Sequence, residues 1–248
     1  MKKVLLSLIL VVLAVTPALA EQALVAVAAN FVPPFREVAT EFEKATGHTV
    51  QVASGPSGGF YTQIKNGAPF DVFFSADYER PKLLEDEGLG VKGSRFTYAI
   101  GRLVLWSPDP NLVKGEDTLR SGKFKHLAIA NPKTAPYGMA AMQAMQKLGV
   151  WESIQPRLVM GEGLGQTMGF IESGNAELGF LALSQVMDPK IAGKGGRWDV
   201  PVDLHEPIQQ DVVLLTKGKD NPAAKALMDF MGEPQAKAII ERYGYELK

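Results

Sequence analysis

Residues 26–47 pass from a predicted buried strand through a tight turn into an amphipathic helix, and this order limits the possible folds more than any other segment. The apolar run 23–29 is typical of a strand buried on both faces of a parallel sheet. A helix is then predicted from apolar residues at helical spacing, which are Phe35, Val38, Ala39 and Phe42. N–H groups at a helix start lack partners within the helix and lie at the positive end of its dipole. The turn at Ala29 and Asn30 is therefore a candidate site for an anion.

Strands and helices alternate along the rest of the chain, which favours an α/β fold with parallel sheets. Further strands are predicted at 48–53, 71–76, 97–106, 126–130, 158–160, 178–182 and 211–216. Helices are predicted at 80–87 and 137–148, after the turns 54–59 and 161–165, and from Asn221 and Pro234 onwards. Within the turn 54–59, Ser57 is predicted to be the helix N-cap.

The first 20 residues are predicted to be a secretory signal that is absent from the mature protein. Lys2 and Lys3 precede an apolar run, 4–15, and residues 18–20 have the small-residue pattern of a cleavage site. A membrane anchor is the alternative, but the run is shorter than the roughly 20 residues that a spanning helix needs. We therefore expect cleavage after Ala20 and export of a soluble protein, most simply to a Gram-negative periplasm.

Cysteine is absent from the sequence, so an exported protein of this kind depends on core packing instead of disulfides and carries no lipid on a cysteine. The formal charge of −1 becomes −3 when Lys2 and Lys3 are removed with the leader. This balance gives no global basic field that would attract nucleic acid or an anionic membrane. Any anion must therefore be recognised locally.

Signs of catalysis and of metal binding are weak. His48, His126 and His205 are far apart and lack ligand spacing, so a zinc site is not predicted. Neither the G-x-S-x-G motif nor the phosphate-loop motif G-x-x-x-x-G-K-[ST] occurs. The acid pair 41/43 falls on a charged helix face and the pair 86/87 at a helix end, and both are typical of solvated surface. We therefore predict a protein that is not an enzyme, with no catalytic residue and no cofactor.

Four turns of small, neutral residues each open a predicted helix: 29–30, 57–59, 136–138 and 163–165. Several helix starts that converge could hold a dianion through N–H groups, hydroxyls and an amide, without a positive side chain. The alternative for each turn is an ordinary cap or tight turn. Two of these turns lie in each half of the chain, which favours convergence over coincidence.

Longer motifs carry a resemblance to a known family. The segments 25–31, 63–77, 146–151 and 241–245 resemble the periplasmic molybdate-binding proteins of bacterial ABC importers. The likeness covers the mature chain in order, and its most specific part is GAPFDVFFSAD, residues 67–77. The resemblance implies a type II periplasmic binding protein with two α/β lobes, a ligand cleft and two crossing hinge strands.

The resemblance also implies domain boundaries and partners. The first lobe is expected to comprise 21–100 and 212–248 and the second 101–211, with hinge strands at 102–106 and 211–216. The ligand is expected to be molybdate or tungstate, held through its oxygens and not through metal coordination by side chains. A monomer is expected to deliver this ligand to an ABC permease and its ATPase at the inner membrane.

Five oxyanion-binding positions are implied by the same resemblance, and they are Ala29, Asn30, Ser57, Tyr137 and Leu164. Asn30 stands where the first turn usually has a serine, and its side-chain amide and backbone are both expected to donate. Ser57 matches a serine, and Leu164 falls at a backbone N–H donor. The usual tyrosine of the second lobe is missing, because the matching residue is Ala182. Tyr137 is expected to supply a hydroxyl instead, and packing on the cleft rim is the alternative.

The expected function is capture and delivery of molybdate or tungstate. Donors placed for long metal–oxygen bonds cannot all reach the smaller sulfate, so the size of the cleft is expected to select the ligand. One alternative is a binding protein of the same fold for sulfate, phosphate or another small oxyanion. A second is an exported hydrolase of phosphate or sulfate esters, which would need a nucleophile or a metal cluster.

Overall fold

A computed structural model of the chain describes residues 20–247, so the predicted leader lies outside the described residues apart from Ala20. Within this range, ten strands form two five-stranded sheets. The strands are β1 (Gln22–Ala28), β2 (Thr49–Gly55), β3 (Val72–Phe74), β4 (Phe96–Gly101), β5 (Leu103–Ser107), β6 (Leu127–Ala130), β7 (Leu158–Gly161), β8 (Leu178–Ala182), β9 (Gly196–Asp199) and β10 (Ile208–Leu214).

Helices cover the faces of both sheets. The α-helices are α1 (Val32–Thr46), α2 (Ser57–Lys65), α3 (Glu79–Asp86), α4 (Asp117–Ser121), α5 (Pro136–Lys147), α6 (Trp151–Ile154), α7 (Leu164–Glu172), α8 (Leu183–Val186), α9 (Pro222–Phe230) and α10 (Pro234–Arg242). Short 3₁₀ turns occupy Ala29–Phe31, Gln155–Arg157 and Val202–Leu204. None of the helices described between residues 20 and 247 is long and apolar enough to cross a membrane.

The first sheet has the strand order β2-β1-β3-β10-β4. β1 is parallel to both of its neighbours, whereas β10 is antiparallel to β3 and to β4. Alternate residues of β1 face opposite sides, so Val25 and Val27 share a core with α1, α9 and α10, and Ala26 shares one with α2 and α3. β1 is thus buried on both faces, as its apolar run predicts. We call this sheet and these five helices the first lobe.

The second sheet has the strand order β7-β6-β8-β5-β9, and we call it, together with α4 to α8, the second lobe. β6 is parallel to β7 and to β8, whereas β5 is antiparallel to β8 and to β9. Its core includes Leu127 and Ile129 of β6 with Met145 of α5 and Ile171 of α7. The expected α/β fold with two lobes is therefore present.

The chain crosses between the lobes at two places. β4 ends at Gly101 in the first sheet and β5 begins at Leu103 in the second, so the predicted strand 97–106 is two strands separated by Arg102. The return crossing is the segment 200–207 between β9 and β10. The segment 211–216, expected to be a hinge strand, lies beyond this crossing, because its part in β10 pairs with β3 and β4.

The tail folds as its capping signals predict. The Asn221 side chain accepts a hydrogen bond from the N–H of Ala223 at 2.9 Å and caps α9. Pro234 is the first residue of α10. Beyond this helix, Glu246 pairs with Ile100 of β4, so the end of the chain returns to the crossing region of the first lobe.

Candidate functional site between the lobes

One small pocket contains all five residues that were expected to bind an oxyanion. It encloses a cavity of about 10 Å³ between the two lobes, so its walls lie close together. The expected residues are Ala29, Asn30, Ser57, Tyr137 and Leu164, and the other lining residues are Ala28, Gly55, Pro56, Ala76, Ala135 and Pro136. None of these lining side chains carries a charge.

Four helix starts form the wall of this pocket. The 3₁₀ turn Ala29–Phe31 and α2 belong to the first lobe, and α5 and α7 belong to the second. Ser57 and Leu164 are the first residues of their helices, and Tyr137 follows the first residue of α5, Pro136. N–H groups in a first helical turn have no partner within the helix. The arrangement therefore directs several positive helix ends towards one point.

Ser57 differs from its predicted local role. Pro56 is the N-cap of α2, with extended backbone angles, and Ser57 is the first residue of the helix, so the predicted Ser57 N-cap is wrong. The fully buried hydroxyl of Ser57 accepts a hydrogen bond from the N–H of Ala76 at 2.9 Å. An accepting hydroxyl still carries a proton to donate, and within residues 20–247 this proton has no acceptor. Ser57 can therefore hold Ala76 and donate to a ligand at the same time.

The Asn30 side chain is committed within the protein. Its Nδ2 donates both protons, to Gln210 Oε1 at 2.7 Å and to Tyr245 Oη at 2.9 Å. Its main-chain carbonyl accepts hydrogen bonds from Ser184 Oγ at 2.7 Å and from Tyr245 Oη at 3.0 Å. The expected donation by the side-chain amide is thus replaced by internal bonds. The main-chain N–H, which lies in the first turn of a helix start, remains the better donor to a ligand.

Tyr137 lies in the interior, with 2% of its surface exposed, and not at an exposed rim. Its hydroxyl accepts a hydrogen bond from Gln210 Nε2 at 3.1 Å. Burial raises the pKa of this hydroxyl well above its usual value, and the neighbouring Tyr245 adds to the rise. Tyr137 therefore keeps its proton at neutral pH, and a hydroxyl that accepts from an amide remains able to donate.

Gln210 is a central residue of the site that sequence reasoning missed. It is fully buried on β10 in the first lobe. Its Oε1 accepts from Asn30 and, at 3.0 Å, from Tyr98 Oη, while its Nε2 donates to Tyr137 of the second lobe. In the sequence Gln210 lies between the polar residues Gln209 and Asp211, so the local pattern neither distinguishes it nor identifies its partners.

Ser184 and Tyr245 were also missed, and they join the lobes on the same side of the pocket. Tyr245 Oη lies 2.9 Å from Ser184 Oγ, and both groups bond the carbonyl of Asn30. Burial raises the pKa of Tyr245 to about 12. We call the six residues that are connected here the hinge-side network: Asn30, Tyr98, Tyr137, Ser184, Gln210 and Tyr245.

Ala182, the position at which the resemblance implied a missing tyrosine, does not line the pocket. It is fully buried at the end of β8, and its N–H donates to Gln185 Oε1 at 3.2 Å. Among residues 20–247, no three His, Asp or Glu side chains lie close enough together to hold a metal ion.

At the opposite side of the pocket, the lobes meet mainly through the main chain. Gly58 of α2 donates its N–H to the carbonyl of Thr134, just before α5, at 2.9 Å. Arg80, which is paired with Asp77, reaches the carbonyl of Lys133 at 3.3 Å. We call this region, formed by Pro56, Gly58, Thr134 and Gly163, the mouth of the pocket.

Comparison with known proteins agrees with this geometry. The family described as bacterial extracellular solute-binding protein matches residues 23–246. The molybdate-binding protein ModA of Azotobacter vinelandii is 57% identical over 226 residues, which cover 90% of this chain and 89% of that protein. ModA of Rhodobacter capsulatus is 52% identical over 229 residues, which cover 92% of this chain and 90% of that protein.

A solved structure gives the same result. The periplasmic molybdate-binding protein of Azotobacter vinelandii superposes with a TM-score of 0.88 and 41% identity, and the match covers 91% of this chain and 99% of that one. The chain therefore belongs to the bacterial extracellular solute-binding proteins and, within them, to the ModA group of molybdate-binding proteins.

Proposed function

We propose that the chain is a periplasmic solute-binding protein that captures molybdate or tungstate in the pocket between its lobes. The observation that carries this proposal is the meeting of four helix starts and the Ser57 hydroxyl around one cavity that no charged side chain lines. The likeness to the molybdate-binding ModA proteins supports the choice of molybdate.

The pocket offers an oxyanion donors without a cation. In the proposed complex, the main-chain N–H groups of Asn30, Ser57, Tyr137 and Leu164 and the Ser57 hydroxyl donate to the ligand oxygens. A hydrogen bond to a charged acceptor contributes about 1.5 to 3 kcal/mol, so a few of them hold a dianion that is shielded from water. The lining residues include no carboxylate that could accept a proton from a ligand, which favours a fully deprotonated anion.

The hinge-side network gives Asn30 and Tyr137 a shared role in the proposed complex. Gln210 joins the Asn30 amide to the Tyr137 hydroxyl, so the two helix starts are held at a fixed separation. The Tyr137 hydroxyl also interacts with the neighbouring Tyr245 hydroxyl, and we propose that in the complex its proton is donated to the bound oxyanion instead. The Asn30 side chain instead positions its own main-chain N–H.

Lobe closure is the proposed means of transport. The expected division was 21–100 and 212–248 against 101–211. The strands of each sheet favour a shift of these boundaries, and we propose a first lobe of 21–101 and 208–247 and a second lobe of 103–199, with crossings at Arg102 and 200–207. In the proposed cycle, the closed monomer presents a surface that an ABC permease and its ATPase recognise at the inner membrane.

The proposed location is the periplasm, reached through the predicted leader with cleavage after Ala20. The structurally similar molybdate-binding protein of Azotobacter vinelandii is periplasmic, which supports this location. Mass spectrometry of protein from a periplasmic extract would give the mature N-terminus, which is expected at Glu21.

Calorimetric titration with molybdate, tungstate, sulfate and phosphate tests the ligand. We expect saturable binding of molybdate and tungstate and much weaker binding of the two smaller anions. Saturation by sulfate without preference for molybdate would replace the proposal with the alternative of a sulfate-binding protein.

We also propose that the protein binds its ligand without catalysis, as its solute-binding relatives suggest. Incubation with chromogenic phosphate and sulfate esters is expected to give no turnover above buffer. Turnover that molybdate inhibits would instead point to the exported hydrolase.

A further inference from the structure

The mouth of the pocket contains a direct contact between the main chains of the two lobes. The N–H of Gly58, the second residue of α2, donates to the carbonyl oxygen of Thr134 at 2.9 Å. Both residues are half-buried. This bond therefore lies beside the cavity at a place where solvent can enter when the lobes separate.

Glycine at position 58 is explained by close approach and not by backbone conformation. Gly58 is absent from the glycines with positive φ, and within a helix alanine is the more favourable residue. A Cβ atom at this position would lie only 3.0 Å from the Cα and the carbonyl oxygen of Thr134. Because these are main-chain atoms, they cannot move aside as the end of a long side chain could.

The second lobe holds Thr134 firmly in place. Its N–H donates to the carbonyl of Asn131 at 3.1 Å, and its hydroxyl donates to the carbonyl of Glu162 at 2.9 Å. Glu162 lies just before α7, so Thr134 connects the starts of α5 and α7. A Cβ atom at Gly163 would lie 3.1 Å from Pro56 Cβ, which is a second close approach at the mouth.

We infer that Gly58 sets how far the lobes close over the anion, and this inference rests on the proposed function. Its N–H is used by Thr134, so Gly58 is a positioning residue and not a ligand donor. Full closure brings Ser57, the residue before it, towards the helix starts of the second lobe. A side chain at position 58 would stop closure early and leave the donors too far apart to act together.

The test compares Gly58→Ala with Gly59→Ala in the full mature protein. Gly59 is the next residue of the same helix, and a Cβ there would meet only the Pro56 ring of its own lobe. Calorimetry and stopped-flow mixing with molybdate give Kd and the association and dissociation rates, and small-angle scattering gives the radius of gyration with and without molybdate. The Tm without ligand reports on folding.

For Gly58→Ala we expect Kd to rise roughly tenfold or more, mainly through faster dissociation, because the open form still admits the anion. The Tm without ligand should be unchanged or higher, and the radius of gyration with molybdate should exceed that of the wild type. Gly59→Ala should leave Kd within about twofold of the wild type, since alanine suits a helix.

Equal Kd and dissociation rate in Gly58→Ala and the wild type would overturn the inference and leave the proposed function intact. An equal loss of molybdate affinity in Gly58→Ala and Gly59→Ala would overturn it as well, because the loss would then come from a change in α2 and not from the approach to Thr134. If Gly58→Ala lowers the Tm, Gly163→Ala tests close approach from the opposite lobe. A molybdate dissociation rate in Gly163→Ala equal to that of the wild type would then overturn the inference. Wild-type protein that does not bind molybdate would overturn the proposed function and, with it, this inference.

Discussion

The two sides of the pocket are held together in different ways. On the hinge side, buried side chains from both lobes form one hydrogen-bonded network around Asn30 and Gln210. At the mouth, the lobes touch through main-chain atoms of half-buried residues, Gly58 and Thr134. A buried network loses stability when one partner is removed, whereas water can replace a bond at the mouth. The hinge side is therefore suited to staying intact while the mouth opens.

The largest effect is expected from Gln210→Leu on the hinge side. Leucine leaves one proton of the Asn30 amide and the hydroxyl oxygen of Tyr137 without their partner, which should lower the free energy of unfolding by about 3 kcal/mol. Urea unfolding measures this loss. Gln51→Leu, on the exposed part of β2, is the control and should change stability by less than about 0.5 kcal/mol. A similar loss of unfolding free energy in the two variants would show that the hinge-side network stabilises the protein no more than an exposed strand position does.

Tyr137→Phe should have the next largest effect, and it tests whether the hinge side contacts the ligand. Loss of a hydroxyl that donates to a dianion should cost about 1 to 3 kcal/mol, or roughly 5- to 150-fold in molybdate affinity by calorimetry. Tyr98→Phe is the matched control, because Tyr98 is buried in the same network but does not line the pocket. It should lower the Tm without weakening binding. Equal affinity loss in both variants would assign the effect to the network and not to a contact with the anion.

Ser57→Ala tests the hydroxyl that lines the pocket between the hinge-side network and the mouth. Removal of the hydroxyl should weaken molybdate binding by about 1 to 2 kcal/mol, or roughly 5- to 30-fold, and it also removes the acceptor for the Ala76 N–H. Ser54→Ala, at an exposed position before the same helix, should leave the affinity unchanged. Unchanged affinity in Ser57→Ala would show that this hydroxyl serves Ala76 alone.

The smallest effect concerns His205 in the return crossing. Burial lowers its pKa, nearby Arg102 and Lys147 lower it further, and a bond to the Glu206 carbonyl opposes them. Since the folded pKa lies below that of the unfolded chain, stability from this group is present above about pH 6.5 and is lost as the pH falls. The Tm should therefore decrease from pH 7.5 to pH 5, and it should decrease less in His205→Leu. An identical decrease in both proteins would assign the acid sensitivity to other groups.

Local chemistry made much of the pocket predictable. Small-residue turns, helical spacing and the proline at the start of α5 depend on residues a few positions apart, so the starts of α2, α5 and α7 could be placed from the sequence. Ser57 shows the limit of this reasoning, because its hydroxyl bonds Ala76, 19 residues away, and Pro56 takes the cap. The break at Arg102 could not be predicted either. The residues on both sides of it are mostly apolar, because β4 and β5 are each buried, although in different sheets.

The alternation of strands and helices, the neutral helix starts and the likeness to a family could all be predicted from the sequence, because each depends on the order of residues along the chain. The partners of the polar side chains depend instead on the three-dimensional fold. Asn30 meets Gln210 across 180 positions, Tyr245 across 215 and Ser184 across 154, and no local pattern specifies such pairs. Buried polar groups must find partners wherever the fold places them. The Asn30 side chain, expected to donate to the ligand, is therefore at the centre of the network that joins the lobes.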